Sequence, residues 1–211
     1  MTTRNPPRHL AALIAVLAGA SLLGACAPLL VGGAMIGTTL MVSDRRTSGT
    51  QIEDQSIELK ALTRVREVVG DRSHVNTTSY NRLVLLTGEV PTDADKAAVE
   101  QAISRIENVR SIVNELAVME ATALTGRSND TILTSKVKAS FVDAKDVFAT
   151  AFKVVTERGT VYLMGRVTER EAGRAAEIAR GVGGVQKVVR VFDVITEAEL
   201  AEVQPRQVPK Q

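Results

Sequence analysis

The sequence of 211 residues has no Trp, one Cys and two His, and aromatic residues make up only 3% of it. A single Cys excludes a disulfide within the chain. One Cys and two His also offer few side chains for a metal centre built from Cys and His, or for a catalytic nucleophile with its base. The uncharged apolar run from Leu10 to Leu23 is shorter than the about 20 residues that a membrane-spanning helix needs. The 45% of hydrophobic residues are mainly aliphatic, which is typical of a soluble protein with helices and strands.

The first 25 residues have the three parts of a secretory signal. Arg4 and Arg8 precede the apolar run, and small residues follow it up to Ala25. A positive start, a short apolar middle and small residues before a cleavage site predict a signal peptide that is removed on export. The sequence therefore predicts an exported protein.

The residues around Cys26 indicate that this cysteine carries lipid after cleavage. Leu23-Gly24-Ala25-Cys26 resembles the lipobox of bacterial lipoproteins, in which the Cys thiol receives diacylglycerol. The alternative is a secreted protein with one buried Cys, but an unpaired thiol is unusual in exported proteins. Several acyl chains also anchor a protein more firmly than one chain does. Ala27 stands where an inner-membrane retention signal has Asp, so the resemblance implies the outer membrane.

The net charge of the processed chain argues against nucleic acid as a partner. Removal of the signal takes away Arg4 and Arg8 and no acidic residue, so 24 basic residues then balance 24 acidic ones. The pI near 8.8 of the full sequence is therefore no sign of a nucleic-acid surface.

The middle of the chain contains an internal repeat. Val84–Val90 recurs 77 residues later as Val161–Val167, and Val109–Val118 recurs 76 residues later as Val185–Val194. Two copies at a nearly constant offset indicate a duplicated domain, because a solenoid needs at least three repeats.

Each copy predicts the order helix, strand, strand, helix, strand. The fold class is therefore α+β, with two tandem domains that each place a small three-stranded sheet on two helices. Thr92 and Thr168 precede the second helices as expected N-caps, and Gly88 and Gly165 end strands where the backbone must bend. The predicted segments are a signal peptide at 1–25, an acylated tether at 26–51, a first domain at 52–118, a linker at 119–127, a second domain at 128–196 and a disordered tail at 197–211.

These motifs carry a family resemblance. Gly88-Glu89-Val90 and Gly165-Arg166-Val167, each followed by an Ala-rich helix and a Val-rich strand, are similar to BON domains. Two of them behind a lipobox resemble the dual-BON outer-membrane lipoproteins, which implies a lipid-anchored protein that faces the periplasm. In one respect the chain departs from this family. In the family, the second domain often has a Trp early in its first helix, whereas this chain has Ile132 at that position.

The motifs predict neither catalysis, nor a cofactor, nor a metal site. His74 is the one His left after processing, and its place before a strand suggests a solvated or structural side chain. Gly181–Gly184 follows a helix and precedes a strand, whereas a dinucleotide-binding loop precedes its helix. We therefore interpret this glycine segment as a helix stop and the protein as a non-enzyme.

Charge differs between the two copies. Residues 54–118 contain eight basic and ten acidic residues, and residues 128–196 contain eleven basic and eight acidic residues. The positive second copy suits an anionic phospholipid surface, where each cation contributes about 1 kcal/mol.

The first helix of the second domain has two apolar faces. At 100° per residue, one face is predicted to enter the core, and it contains Leu133, Val137 and Phe141. The nearly opposite face contains Ile132, Ala139 and Val142, with Lys136 and Lys138 beside it. The residues alone leave two interpretations open, shallow insertion into lipid or packing against the first domain or its linker. The resemblance favours lipid, because the family uses this helix for anionic phospholipid.

The matching helix of the first domain shows less of a second apolar face. Its predicted inward residues are Ile57, Ala61, Leu62 and Val65, and we expect it to support the fold or to dock a partner. Two functions remain, a module that binds anionic membrane and a periplasmic adaptor for an envelope protease or the outer-membrane assembly machinery. A purely structural envelope-stress lipoprotein is a weaker third.

Overall fold

The computed structural model describes residues 44–120 and 124–203. The predicted signal peptide, the acylation site at Cys26 and the last eight residues lie outside this range. None of the described helices is both long and apolar enough to cross a membrane.

The first domain has two helices and a small mixed sheet. Its elements are α1 (Ser48–Val69), β1 (His74–Tyr80), β2 (Leu83–Val90), α2 (Asp93–Ser104), β3 (Ser111–Asn114) and β4 (Ala117–Val118). β2 pairs antiparallel with β1 and parallel with both β3 and β4. The predicted third strand is thus interrupted between β3 and β4, where Leu116 turns into the core.

The second domain repeats this order. Its elements are α3 (Leu124–Asp143), β5 (Phe152–Glu157), β6 (Thr160–Val167), α4 (Glu169–Gly181) and β7 (Lys187–Val194), followed by a terminal helix, α5 (Glu197–Val203). β6 lies between β5 and β7, antiparallel to the first and parallel to the second. The predicted α+β fold with two copies of helix, strand, strand, helix, strand is confirmed.

A buried Asp on the first helix holds the hairpin turn in each domain. The carboxylate of Asp54 accepts hydrogen bonds from the backbone N–H groups of Asn81 and Arg82, at 2.8 and 2.7 Å. Asp130, 76 residues later, accepts those of Arg158 and Gly159 at 2.7 and 2.9 Å. Each turn bends at two residues with positive φ, a geometry typical of two-residue hairpin loops. The Asp carboxylate therefore supplies a partner for both N–H groups of the turn.

The predicted helix caps are present. The Thr92 side chain accepts the N–H of Asp95 at the start of α2. Thr168 forms a reciprocal capping box with Glu171 at the start of α4. These bonds satisfy N–H groups that have no partner within the helix.

Gly88 is required by its neighbours. Its φ is +111°, and a Cβ there would overlap the carbonyl oxygen of His74. Gly165 is the equivalent in β6, where a Cβ would lie 2.5 Å from the carbonyl oxygen of Ala151. The prediction that these glycines end their strands is wrong, because β2 continues to Val90 and β6 to Val167. Each glycine is instead needed for a close approach of two backbones.

Three apolar clusters account for the core. Two of them lie between the helices and one face of each sheet. The third joins the opposite faces of the two sheets and contains Tyr80, Leu85, Tyr162, Met164 and Val191. The sheets therefore stack on each other with the helices outside. Most apolar burial is within each copy, but the two domains share an apolar interface.

The folded unit is longer at its start than the predicted boundaries. α1 begins at Ser48, inside the segment predicted as tether, with Thr47 as its N-cap. Arg45 before it is buried against Glu171, and Arg46 bonds to Asp54 at 2.7 Å. Arg45 and Glu171 are 126 residues apart in sequence, so local composition could not show their ion pair.

Two further boundaries differ from the sequence prediction. α3 begins at Leu124, within the segment predicted as linker. α5 occupies 197–203, which were predicted to be disordered, and Leu200 on it is buried. Thr196 and Glu199 exchange capping bonds of 3.2 and 2.8 Å at its start. This Thr-x-x-Glu pattern is a local helix signal that sequence reasoning missed.

Candidate functional site

α3 buries the face that the sequence assigns to the core. Leu133, Val137 and Phe141 are all buried. The ring of Phe141 lies 5.2 Å from that of Phe152 on β5, centroid to centroid. The inward prediction for these three residues is confirmed.

The outward face of α3 is apolar at both ends. Ile132 is 55% exposed and Val142 is 73% exposed, with exposed Ala139 between them. Ten residues separate Ile132 from Val142, which corresponds to about 15 Å along the helix axis. The interpretation that this face packs against the first domain is wrong for these side chains, because they face solvent in the folded protein.

Two lysines accompany this face without an acidic partner. Lys136 and Lys138 are exposed, and within the described residues neither lies in a salt bridge. Asp143 brings one acidic charge to the C-terminal end of the same face. The free cations therefore lie in the middle of the surface that we call the α3 outer face: Ile132, Lys136, Lys138, Ala139 and Val142.

A shallow cavity of about 350 Å³ adjoins the N-terminal end of the α3 outer face. Ile132 and Lys136 line one side of it, and Gly159, Gly183 and Gly184 line the other. The absence of side chains on these glycines keeps the cavity open beside a cation.

A second exposed apolar surface lies on α1, and the sequence pattern did not predict most of it. Leu62, predicted to point inward, is 57% exposed, and Leu59 is 69% exposed. The buried stripe of α1 repeats every four residues through Ile57, Ala61 and Val65. Leu62 lies 100° away from Ala61 around the helix, so it falls beside this stripe rather than within it.

A groove runs between α1 and the edge strand β1. It has a volume of about 470 Å³ and is lined by Leu59, Leu62, Val65 and Val75 with neighbouring polar residues. Within the described residues β1 pairs only with β2. We call this feature the α1 groove.

A buried ionic cluster joins the two domains. Glu89 of β2 is 0% exposed, and Arg158 of the second domain donates to its Oε1 at 2.7 Å. His74 Nδ1 lies 3.1 Å from Glu89 Oε2. Glu157, which is 3% exposed, accepts a hydrogen bond from Asn76 at 3.0 Å. Burial raises the pKa of the Glu157 carboxyl despite this bond.

Comparison with known proteins identifies the repeated unit. The BON domain profile matches residues 54–120 and again residues 129–196. The chain belongs to the BON-domain family. The resemblance seen in the two Gly-x-Val motifs is therefore confirmed, and the matched ranges agree with the two structural repeats.

The chain is also similar to individual BON-domain proteins. It is 38% identical over 183 residues to the outer membrane lipoprotein DolP of Haemophilus influenzae, which covers 85% of this chain and 94% of that protein. It is 32% identical to the 21 kDa hemolysin of Actinobacillus pleuropneumoniae, over 72% of this chain and 79% of that protein. Among solved structures, CdsD of the Chlamydia trachomatis type III secretion system covers 70% of this chain and 98% of its own, with 11% identity and a TM-score of 0.28.

These relatives confirm the predicted class of protein. The chain is a dual-BON outer-membrane lipoprotein, and its location is the outer membrane. Acylation at Cys26 and lipid binding by the α3 outer face stay predictions.

Proposed function

We propose that this BON-domain lipoprotein is anchored through acylated Cys26 and binds anionic phospholipid through the α3 outer face. The observation that carries the proposal is the exposure of Ile132 and Val142 on a helix whose opposite face is already in the core. A helix that serves only its own domain needs one apolar stripe, and a second one beside unpaired lysines is typical of a helix lying in a membrane interface.

The expected affinity of this face is modest. Burial of one large aliphatic side chain contributes at most about 1.5–3 kcal/mol, and each lysine close to an anionic surface adds about 1 kcal/mol. The lipid anchor keeps the domain near the membrane, so a weak surface contact still becomes occupied. The second domain therefore engages and leaves the membrane reversibly, which suits a protein that supports envelope integrity.

Liposome sedimentation of the soluble chain, residues 27–211, tests the lipid contact. Ile132→Glu should weaken binding to vesicles rich in phosphatidylglycerol, because it removes apolar insertion and adds repulsion from the headgroups. Lys136→Glu combined with Lys138→Glu should weaken binding at low salt and much less at high salt, since screening removes that attraction. All variants should keep the thermal midpoint of the original chain, as surface changes usually cost less than about 0.5 kcal/mol.

Leu59→Glu provides the matched control. It adds the same charge to an exposed aliphatic position on α1, which is 69% exposed against 55% for Ile132. If liposome binding falls equally in Leu59→Glu and Ile132→Glu, the effect of the added charge is not specific to α3, and the proposed contact is contradicted. Loss in Leu59→Glu alone would move the contact to the first domain and overturn the proposal.

Replacement of Cys26 by Ala tests the anchor. The variant should lose labelling by a palmitate analogue and leave the outer-membrane fraction, as an uncleaved precursor or a soluble periplasmic form. Continued labelling would refute the assignment of Cys26.

The α1 groove favours a second function, a periplasmic adaptor. An edge strand beside an apolar groove can accept an extended peptide as an added strand, and the groove is lined by four aliphatic residues. A photo-crosslinking residue at position 62 should then join this protein to one envelope protein. Leu59→Glu should remove that product while liposome binding is kept.

A further inference from the structure

We propose that His74, Glu89 and Glu157 bind one divalent transition-metal ion, with Zn²⁺ as the best fit, at the junction of the two domains. Each residue offers one ligand atom, an imidazole nitrogen or a carboxylate oxygen. These three atoms all lie within 4.8 Å of one another.

The spacing of the ligand atoms is close to that of a metal site. Tetrahedral Zn²⁺ with bonds of about 2.0–2.1 Å holds its ligand atoms roughly 3.3 Å apart. His74 Nδ1 and Glu89 Oε2 are 3.1 Å apart, so this pair already has the required spacing. The ligand oxygen of Glu157 lies within 4.8 Å of both atoms, and closing that distance is the rearrangement that metal binding requires.

The charge of the cluster calls for a cation. Glu89 and Glu157 are both almost fully buried, and burial of an uncompensated carboxylate is costly. Arg158 bonds to Glu89, whereas the hydrogen-bond partner of Glu157 is the neutral amide of Asn76. Asn76 brings no positive charge to Glu157, so a bound cation would offset the charge of this carboxylate.

The surroundings leave room for a further ligand. A cavity of about 160 Å³ is lined by His74, Asn76, Glu157 and Thr134, and water in it could fill a fourth coordination position. Arg127 and Asp130 also line this cavity, and their opposite charges balance each other.

The donor set selects among metals. One nitrogen and two carboxylate oxygens suit Zn²⁺ and similar divalent ions. Ca²⁺ prefers six to eight oxygen ligands, and the absence of thiolate disfavours Cu⁺.

Such an ion would bridge the two BON domains. His74 lies on β1 and Glu89 on β2 of the first domain, whereas Glu157 ends β5 of the second. An ion that binds only the assembled pair stabilises it by an amount that rises with the logarithm of the ion concentration once this exceeds Kd. The proposed role is therefore structural, a link that holds the sheets together.

Zinc titration of the chelator-treated soluble chain, residues 27–211, tests the proposal. Calorimetry with ZnCl₂ should show one ion per chain, and the thermal midpoint should rise with zinc. His74 is the only His within residues 27–211. Its ring resonances therefore report ligation unambiguously by NMR, and they should shift when zinc saturates the site.

Variants decide whether binding uses these residues. His74→Ala and Glu157→Gln should each weaken zinc binding at least tenfold and abolish the rise in thermal midpoint. Glu58→Gln is the control, because Glu58 also joins the domains, through Lys153 at 2.8 Å, but lies outside the cluster. Unchanged zinc binding in a folded His74→Ala chain would mean an adventitious ion only. The absence of any heat or ring shift would overturn the proposal outright.

Discussion

The guanidinium of Arg45 forms two parallel hydrogen bonds with the carboxylate of Glu171, 2.8 Å from Nη1 to Oε2 and 2.7 Å from Nη2 to Oε1. Both side chains are almost fully buried. Arg45 precedes the first domain, and Glu171 lies in the first turn of α4 in the second domain. This pair therefore fixes the start of the folded unit to the second domain. Asp44 follows Cys26 by 18 positions in the sequence, and a chain of that length spans at most about 60 Å.

Loss of one partner from this pair should destabilise the protein. We expect Arg45→Ala to lower the free energy of unfolding by about 3–5 kcal/mol, since it leaves the Glu171 carboxylate buried without its partner. Urea unfolding followed by circular dichroism measures the change. Arg170→Ala is the control, because its pair with Glu197 is exposed and exposed ion pairs contribute little to stability. Equal effects of the two substitutions would show that the buried pair has no special role.

The same pair should make stability depend on acid pH. Burial tends to raise the pKa of Glu171, but hydrogen bonds from Arg45 and from the Thr168 N–H outweigh it, so the pKa is lowered below its usual 4.5. A carboxyl with a lowered pKa in the folded state contributes stability above its unfolded pKa, and this stability is lost as pH falls through the folded value. Unfolding midpoints between pH 7 and pH 3 should therefore fall more steeply in the original chain than in Glu171→Gln. Identical slopes would contradict this assignment.

Gly88 should not tolerate a side chain. Gly88→Ala places a methyl group against the His74 carbonyl and keeps a positive φ, so we expect a loss of more than about 1 kcal/mol from strain at this residue alone. Gly173 on α4 has open space around its Cβ position, and Gly173→Ala should gain about 0.5–1 kcal/mol from helix propensity. Thermal unfolding of both variants checks the opposite signs. A neutral Gly88→Ala would mean that the two strands separate without cost.

The second domain should fold by itself and then associate. Residues 128–196 contain most of one helix–sheet cluster, so we expect a dispersed NMR spectrum. The isolated domain exposes Tyr162, Met164 and Val191, which pack against the first domain in the full chain, and such a patch promotes association. Sedimentation should show dimers that Val191→Lys disperses. A collapsed spectrum would mean that the stacked sheets form one cooperative core.

Local patterns in the sequence determined the elements of this protein. The repeated segments predicted the order helix, strand, strand, helix, strand, Thr92 and Thr168 predicted the helix starts, and the repeat offset predicted two equivalent domains. The repeat also contained Asp54 and Asp130, whose shared role at the hairpin turns became evident only from their contacts. Each successful prediction concerns residues within one helix, strand or turn, where spacing along the chain fixes the geometry.

The stacking of the two sheets was decided by tertiary structure alone. It brought Arg45 to Glu171 and Glu89 to Arg158, and it buried Tyr80 and Tyr162 in one cluster. It also gathered His74 and Glu157 around Glu89. The residues that meet across the two domains lie far apart in the chain, so no local pattern connects them. Strand periodicity predicts that each sheet has two faces, but it does not show what packs against the face opposite the helices. The sequence therefore determined two BON domains, and the packing of their free sheet faces determined the buried ionic cluster between them.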